Sequence, residues 1–248
     1  MKDSKKIGAP AAYRGYRLQA LYIFWRILSP SNNDFFFRPE GKEDLDILDI
    51  NENLIEAVQV KSFSSLVLSH LISKEPSENE RQRGAVKPFI QRAIDHLKKQ
   101  SCNKVMLVNF GSIGPELKQA WTDISLPNKN INKVLKKLKK KGLSSDEIKL
   151  VIKNVELISV DEKTIESEIF TILGEVITGI DPVSAFDLLN FWIYLASEKQ
   201  QVLTKQKLIE KIQNVGRFLS ECHVHHKEWF TTIKPIIKKK FQKRNEHF

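Results

Sequence analysis

The sequence predicts an α/β fold in which helices flank a mixed sheet, followed by a C-terminal helical extension. In the first half of the chain a helical pattern, a hairpin, a second helix and a buried strand follow one another, an order typical of a sheet covered by helices. Beyond about residue 113 the patterns are mostly helical. The 248 residues are enough to bury a full core. We expect residues 1–125 to form the α/β core and residues 126–248 to form a mainly helical accessory region.

The first predicted element is a helix over residues 11–28, in which apolar and aromatic side chains recur close to helical spacing. Pro10 suits the start of this helix. Its apolar part is too short to span a bilayer and contains Gln19 and Arg26. The N-terminus also lacks the apolar run of a secretory signal. We therefore expect a cytoplasmic protein without a membrane partner.

The stretch from Glu40 to Lys61 predicts a β-hairpin that turns at an Asn-Glu-Asn tripeptide. Side chains alternate along a strand, so Asp44 and Asp46 share one face of the first strand. Gln59 and Lys61 share one face of the second strand for the same reason. Folding about the turn places Asp44 roughly opposite Lys61 and Asp46 roughly opposite Gln59. We expect all four polar groups to lie on one face.

Apolar spacing and turn residues predict the elements that follow the hairpin. Pro182, directly after Asp181, marks one helix start, and Gly142 is expected to end another helix. Residues 75–84 are polar and lack periodicity, which indicates an exposed segment. The expected helices cover residues 86–99, 117–121, 130–142, 162–174, 182–199 and 204–222, with a further helix capped at residues 144–146, and the expected strands cover residues 104–111 and 155–160.

The charge balance makes nucleic acid the first partner to consider. Forty Lys and Arg residues stand against thirty Asp and Glu residues, and the formal net charge of +10 favours attraction to polyanions. The predicted helix at residues 130–142 is especially basic, and its lysines either form a solvated face or also contact phosphates. Cys102 and Cys222 are far apart in the sequence and imply neither a disulfide framework nor a zinc site.

The four polar residues of the hairpin have the chemistry that metal-dependent cleavage of phosphodiesters requires. Carboxylate and amide oxygens are hard ligands, so Asp44, Asp46 and Gln59 are candidate ligands of Mg²⁺ or Mn²⁺. Lys61 would orient the attacking water or offset the charge that builds up on the phosphate. A Gln in place of an acid predicts weaker metal binding. The other interpretation is a surface hairpin with cross-strand ion pairs, each contributing under about 1 kcal/mol.

Three stretches of the sequence resemble the PD-(D/E)xK nuclease superfamily: RGYRLQAL at residues 14–21, EGKEDLDIL at residues 40–48 and VQVKS at residues 58–62. They are more closely similar to a family of bacterial anti-phage effector nucleases, found fused to SAVED sensors in CBASS systems, to STAND ATPase modules or in Lamassu systems. The resemblance implies a restriction-endonuclease-like core over residues 1–125. It also implies Mg²⁺-dependent cleavage of double-stranded DNA that begins when a sensor or an oligomer activates it.

The resemblance also implies roles for individual residues. Asp44, Asp46, Gln59 and Lys61 become catalytic residues, and Gln19 assists them from the first helix. Asp44, Asp46 and Gln59 would hold the metal, and which aspartate is the main ligand stays open at this point. The residues that we expect to contact nucleic acid are Arg14, Lys136, Lys137, Lys139 and Lys140.

We therefore expect a Mg²⁺-dependent endodeoxyribonuclease effector of anti-phage defence. One site per chain must be paired to cut both strands, so we expect a homo-oligomer, a sensor or ATPase partner, or both. The alternative is a catalytically inactive DNA-binding or interaction subunit that retains the nuclease fold. It predicts salt-sensitive DNA binding that survives loss of Asp44, Asp46 and Lys61. A third hypothesis, a helical scaffold with a surface hairpin, requires that the four polar groups do not converge in a concave site.

Overall fold

The computed structural model describes residues 9–29, 34–73, 87–99, 102–122, 129–176 and 181–224. The helices are α1 (Ala9–Leu28), α2 (Leu68–Ile72), α3 (Phe89–Lys98), α4 (Pro115–Thr122), α5 (Lys129–Lys140), α6 (Ser145–Asn154), α7 (Glu162–Val176), α8 (Pro182–Glu198) and α9 (Lys205–Val224). The strands are β1 (Phe36–Pro39), β2 (Leu45–Leu48), β3 (Leu54–Lys61), β4 (Ser65–Leu66), β5 (Lys104–Phe110), β6 (Ser112–Ile113), β7 (Val155–Val160) and β8 (Leu203–Thr204). No helix within the described ranges has the length and apolar character that crossing a bilayer requires. The exposed segment expected at residues 75–84 lies outside the described residues.

A mixed six-stranded sheet forms the centre of the fold, in the order β7-β5-β3-β2-β1-β8. β3, β5 and β7 run parallel to one another, whereas β2, β1 and β8 are added to β3 through successive antiparallel pairs. β4 and β6 form a separate two-stranded parallel sheet. The predicted α/β class with a mixed sheet flanked by helices is therefore confirmed.

Helices cover both faces of the six-stranded sheet because side chains alternate along each strand. Val58 and Val60 of β3 pack with α1, α7, α8 and α9 in one buried cluster. Ala57, on the other side of the same strand, packs with α3, α4, α5 and α6 in a second cluster. The fold therefore has three layers, and polar side chains at the end of β3 lie within reach of both helical layers.

The region after residue 126 is built into the same sheet as the region before it. β7 pairs with β5 at one edge of the sheet and β8 pairs with β1 at the other, so both edge strands come from the C-terminal part of the chain. Phe24 of α1 stacks on Phe186 of α8, with 6.1 Å between the ring centroids. The C-terminal helices therefore close the core around α1 in addition to extending the fold.

Most of the predicted boundaries agree with the structure to within a few residues. β7 coincides with the strand expected at residues 155–160. Ser144 caps α6 by accepting a hydrogen bond from the backbone N–H of Glu147, and Asp181 caps α8 in the same manner. α5 is followed by Gly142, which has a left-handed backbone with φ of 87°. β8, which has only two residues, was not predicted.

β2 and β3 form the expected hairpin, but with a different register. Asp46 lies opposite Ala57 and not opposite Gln59 as expected. Continuing the same register brings Asp44 level with Gln59, two residues before Lys61. The predicted pairing of the aspartates with Gln59 and Lys61 is therefore wrong.

The turn of the hairpin accounts for this change of register. Oδ1 of Asp49 accepts hydrogen bonds from the backbone N–H groups of Asn51 and Asn53, both at 2.8 Å, so the turn begins at Asp49. Leu48 therefore pairs with Leu54, three residues from the expected register, and a bulge between Ile47 and Leu48 returns the pairing by one residue, which leaves a net shift of two. A shift by an even number of residues keeps each side chain on its original face of the sheet. The polar residues therefore stay on the predicted face but acquire different partners.

If the two regions share one core, a cavity in α8 should destabilise the whole chain. Ile193 of α8 is 0% exposed and belongs to the cluster around α1. Ile193→Ala should therefore lower the free energy of unfolding by about 2–5 kcal/mol in one urea transition, followed by circular dichroism and tryptophan fluorescence. Leu195→Ala is the matched control, because Leu195 is 37% exposed, and should change stability by less than about 0.5 kcal/mol. A second urea transition whose midpoint is the same in Ile193→Ala and in the wild type would contradict a shared core.

Candidate functional site

A buried carboxylate anchors the loop between β1 and β2. Asp46 is 0% exposed, and its Oδ2 accepts a hydrogen bond from Nη2 of Arg38 at 2.7 Å. Both carboxylate oxygens also lie 3.1 Å from the backbone nitrogen of Lys42, which donates to them. The loop passes so close to this carboxylate at Gly41 that a Cβ atom there would overlap with it. Asp46 is therefore directed at the loop backbone and not at Gln59.

Asp44 is the aspartate that reaches the end of β3. It directly precedes β2, and its Oδ2 accepts hydrogen bonds from Nε2 of Gln59 and from the backbone N–H of Val60, the latter at 2.6 Å. Lys61 is near enough to act on the Asp44 carboxylate electrostatically. Asp44, Gln59 and Lys61 therefore meet at one end of the hairpin. Of the two aspartates that the sequence left open, the structure places Asp44 with Gln59 and Lys61.

The electrostatic environment of Asp44 opposes its ionisation. Burial raises the pKa of Asp44 from 3.8 to about 7, and the nearby carboxylates of Glu40 and Glu43 add to the shift. The N–H of Val60 and the ammonium of Lys61 act in the opposite direction. A carboxyl in such a position ionises more readily when a cation binds beside it. The loop thus concentrates negative charge where a divalent cation would relieve the repulsion.

Gln19 projects from α1 towards the same loop. Its Nε2 donates to a carboxylate oxygen of Glu40 and lies 3.4 Å from the carbonyl oxygen of Asp44. Glu40 itself has a left-handed backbone with φ of 51°, and its N–H donates to the Asp44 carbonyl at 3.0 Å. Gln19 therefore touches the loop that carries Asp44, through Glu40, which was not among the expected catalytic residues.

Two side chains of α3 contact the loop, and the sequence did not single them out. Nε and Nη2 of Arg92 donate to the two carboxylate oxygens of Glu43 at 3.0 and 3.2 Å, and Nε2 of His96 lies 3.1 Å from the same carboxylate. Burial disfavours the ionised form of Glu43, but the hydrogen bonds from His96 and Arg92 outweigh burial and lower its pKa. Arg92 and His96 stand four residues apart beside the apolar stripe of α3, and this spacing is the signal that could have identified them.

Arg92 also determines which way the amide of Gln59 points. Nη2 of Arg92 lies 2.7 Å from Oε1 of Gln59. Because a guanidinium carries donors only, the amide oxygen must face Arg92. Nε2 is then the end that faces Asp44. In this orientation the oxygen that was expected to bind a metal beside Asp44 is bound by Arg92 instead.

The fit of a divalent cation to this site rests on Asp44. In the part of the chain that the structure describes, no group of three or more His, Cys, Asp or Glu side chains is arranged to hold a metal. Mg²⁺ does not need such a group, since it is often held by one or two carboxylates and keeps several waters. Asp44 and the neighbouring Glu40 fit this chemistry. Gln59 fits it only if its amide turns away from Arg92, and Asp46 is held by the loop.

The residues expected to contact nucleic acid do not form one surface. Arg14 lies on α1, with Nη2 3.8 Å from Oε2 of Glu162, in the helical layer on one face of the sheet. α5 packs in the layer on the other face, and Nζ of its Lys137 lies 3.6 Å from Glu116. α5 therefore presents a basic face that is separate from Arg14. The exposed lysines of that face include Lys136, Lys137, Lys139 and Lys140.

The solved structures that resemble this chain have low sequence identity to it. Neither a protein-family model nor a curated protein matches it. The Acinetobacter baumannii Cap4 SAVED/CARF-domain containing receptor with the cyclic trinucleotide 2'3'3'-cAAA is similar at a TM-score of 0.47 and 11% identity, over 90% of this chain and 47% of that chain. The Moraxella osloensis Cap4 SAVED/CARF-domain containing receptor is similar at a TM-score of 0.45 and 12% identity, over 89% of this chain and 50% of that chain. This chain spans about half the length of these receptors.

The two aspartates should respond in opposite ways to neutralisation. The pKa of Asp44 is about 7 in the folded chain and 3.8 ordinarily, so its ionisation lowers stability as the pH rises from about 4 through 7. Asp44→Asn removes this penalty. It should raise the free energy of unfolding at about pH 8.5 by on the order of 2–4 kcal/mol and leave it nearly unchanged at about pH 4.5.

Asp46→Asn is the matched control for this measurement. It removes the charge that Arg38 and the N–H of Lys42 stabilise, so it should lower the free energy of unfolding by about 1–3 kcal/mol at both pH values. Urea unfolding in EDTA, without divalent cations, measures both variants. Equal destabilisation by the two substitutions would contradict the different environments assigned to the two aspartates.

Proposed function

We propose that the chain is a metal-dependent DNA endonuclease of the PD-(D/E)xK type and an effector of bacterial anti-phage defence. The defence role and the double-stranded DNA substrate rest on the sequence resemblance. The location of the site is supported by the hydrogen bond between Gln59 and Asp44, by the nearby charge of Lys61 and by the reach of Gln19 into the same loop. Mg²⁺ or Mn²⁺ is the proposed cofactor, and a second copy, a sensor or an ATPase is the proposed activating partner.

The observation that carries the proposal is the environment of Asp44. Its carboxyl has a raised pKa because it is buried near Glu40 and Glu43, and ionising it without a cation lowers stability. Asp46 in the same loop has the environment usual for a structural carboxylate, because it forms an ion pair with Arg38. Strongly perturbed carboxyls beside a lysine are typical of functional sites.

In the proposed reaction Asp44 holds the cation, and Glu40 supplies further negative charge. When bound there, the cation polarises the phosphate and lowers the pKa of a bound water. Lys61 orients the attacking water and offsets the charge that develops on the phosphate. Gln19 keeps Glu40 and the backbone of Asp44 in place, because one amide nitrogen contacts both.

The contact between Arg92 and Gln59 offers a physical reason for low activity before activation. While Arg92 binds the amide oxygen of Gln59, a cation beside Asp44 would lack that oxygen as a ligand. A displacement of α3 would release the oxygen and complete the ligand set. We therefore propose that the activating partner displaces α3, the helix that carries Arg92.

The same contact favours a second candidate function, a DNA-binding or interaction subunit that keeps the fold without catalysis. If Arg92 holds Gln59 permanently, Asp44 has too few neighbouring ligands to bind a cation firmly. DNA binding would then depend on the basic face of α5. This candidate predicts that DNA binding survives the double substitution of Asp44→Asn and Lys61→Ala, and that added Mg²⁺ leaves the thermal unfolding temperature of the chain unchanged.

Lys61→Ala should slow the cleavage of plasmid DNA in Mg²⁺ or Mn²⁺ by about 100-fold or more, because it removes the group that supports the attacking water. Asp44→Asn should slow cleavage at least as much. It should also abolish the rise in thermal unfolding temperature that Mg²⁺ causes in the wild type. The measurement is the loss of supercoiled plasmid over time, in an assembly in which the wild-type chain is active.

Lys153→Ala is the matched control for the lysine substitution, because Lys153 is an exposed lysine of α6. It should leave cleavage unchanged. If Lys61→Ala cleaves as fast as the wild type, the assignment of Lys61 is wrong. If Mg²⁺ neither raises the unfolding temperature nor supports cleavage in an assembled complex, the inactive subunit is the better description.

The lysines of α5 should carry the sequence-independent part of DNA binding. Each phosphate contact adds about 0.9 to the slope of the logarithm of affinity against the logarithm of salt concentration. Lys139→Ala combined with Lys140→Ala should reduce that slope by about 1–2, and Lys137→Ala should do less because Glu116 is nearby. Fluorescence anisotropy of a labelled duplex in EDTA, at several salt concentrations, measures the slope. If the slope is unchanged when the four exposed lysines of α5 are all replaced by alanine, these lysines form a solvated face that does not contact DNA. The four are Lys136, Lys137, Lys139 and Lys140.

A further inference from the structure

A cavity of about 240 Å³ lies between α1 and α8, next to the loop that carries Asp44. Gln19 and Glu40 line it, and both also contact the backbone of Asp44. The cavity therefore lies beside the loop that carries Asp44, although the proposed chemistry does not use it. The side chains that line it include Tyr16, Gln19, Glu40, Tyr194, Ser197 and Glu198, and we call this cavity the tyrosine pocket.

Two aromatic rings form one side of the tyrosine pocket. Tyr16 and Tyr194 pack edge to face, with 6.5 Å between their ring centroids and 85° between their planes. They are 49% and 48% exposed, so about half of each ring surface is open to solvent at the pocket. Exposed aromatic rings beside a nucleic-acid site are the usual platform on which unpaired bases stack.

The polar groups of the tyrosine pocket are mainly hydrogen-bond acceptors. Glu40 and Glu198 present carboxylates, and the hydroxyl of Ser197 donates to the carbonyl of Ile193 at 2.9 Å, which leaves its oxygen to accept. Two carboxylates repel a phosphate group. They suit a planar group that carries N–H donors, and adenine, cytosine and guanine each have an exocyclic amino group of this kind.

The position of the tyrosine pocket fits a nucleotide whose phosphate is at the candidate site. Nε2 of Gln19 contacts Glu40 in the wall of the pocket and lies 3.4 Å from the carbonyl of Asp44. The pocket and the Asp44 loop are thus separated by one side chain. A base and its own phosphate are separated by a single sugar, so a base in the pocket would bring its phosphate near the loop that carries Asp44.

We propose that the tyrosine pocket binds one unpaired base of the DNA strand whose backbone lies at Asp44. The proposal rests on the proposed nuclease function and narrows its substrate to DNA with an extruded, bulged or frayed base. Enzymes that act on an extruded nucleotide hold its base between aromatic side chains and read its edge through hydrogen bonds. The acceptors of the pocket favour adenine, cytosine and guanine over thymine, which has no amino group.

Binding in Ca²⁺ tests the pocket with a cation available to the Asp44 carboxyl, and a gel of the recovered duplex checks that no cleavage has taken place. The probes are a duplex with one bulged 2-aminopurine, a fluorescent adenine analogue that has an amino group, and the same duplex fully paired. Tyr194→Ala should weaken binding of the bulged duplex by about 5- to 100-fold and leave binding of the paired duplex unchanged. Tyr194→Phe keeps the ring and should retain the affinity for the bulged duplex. Fluorescence quenching of the bulged 2-aminopurine should accompany binding to the wild type and be lost in Tyr194→Ala.

Tyr13→Ala is the matched control, because Tyr13 is on α1, 72% exposed and not among the residues that line the pocket. It should leave both affinities unchanged. No preference for the bulged duplex, or equal losses on both duplexes, would overturn the proposal. Binding of an arginine-rich peptide that Tyr194→Ala abolishes, with no change in DNA binding, would assign the pocket to a protein partner and would also overturn it. Failure of the nuclease proposal is a separate result, since it appears as the absence of plasmid cleavage in Mg²⁺ by the wild-type chain in an assembled complex.

Discussion

The buried carboxylate of Asp46 is the constraint on which the geometry of the candidate site depends. A charge that is fully removed from water must find partners, because leaving it unpaired costs several kcal/mol. Arg38 on the neighbouring strand and the N–H of Lys42 in the loop provide them. The loop can reach Asp46 only by folding back closely over it, which Gly41 permits. A structural ion pair thereby presents the carboxyl of Asp44 at the end of β3.

The carboxylates of this loop have similar sequence surroundings but different physical states. Glu43 is paired with Arg92 and His96, which lower its pKa despite burial. Asp44 is bonded by a neutral amide and a backbone N–H, and its pKa is raised to about 7. The negative charge of Glu43 is thus already compensated within the protein, whereas Lys61 and the N–H of Val60 offset that of Asp44 only in part. This asymmetry is what makes Asp44 the residue that a cation would stabilise.

Local sequence signals predicted much of the fold and part of the site. Apolar spacing gave β7 and the amphipathic helix α3, and alternation placed the polar hairpin residues on one face. The register was wrong because it depends on how Asp49 closes the turn, and the sequence did not reveal those hydrogen bonds. Arg92 was missed because its contact with Glu43 joins residues that are 49 positions apart. Which aspartate meets Gln59 therefore had to come from the structure.

The three-layer fold gives the site a contact with each helical layer. Gln19 reaches the loop from α1, which packs against α7 and α8, whereas Arg92 reaches it from α3 on the other face of the sheet. The first contact supports the backbone of Asp44, and the second holds the amide oxygen of Gln59 at Arg92, away from Asp44. A partner that moved one layer relative to the sheet would change one of these contacts and leave the other. The contact that holds Gln59 can thus be broken while the contact that supports Asp44 is kept. The proposed activation requires this separation, because Asp44 must stay in place while Gln59 is released.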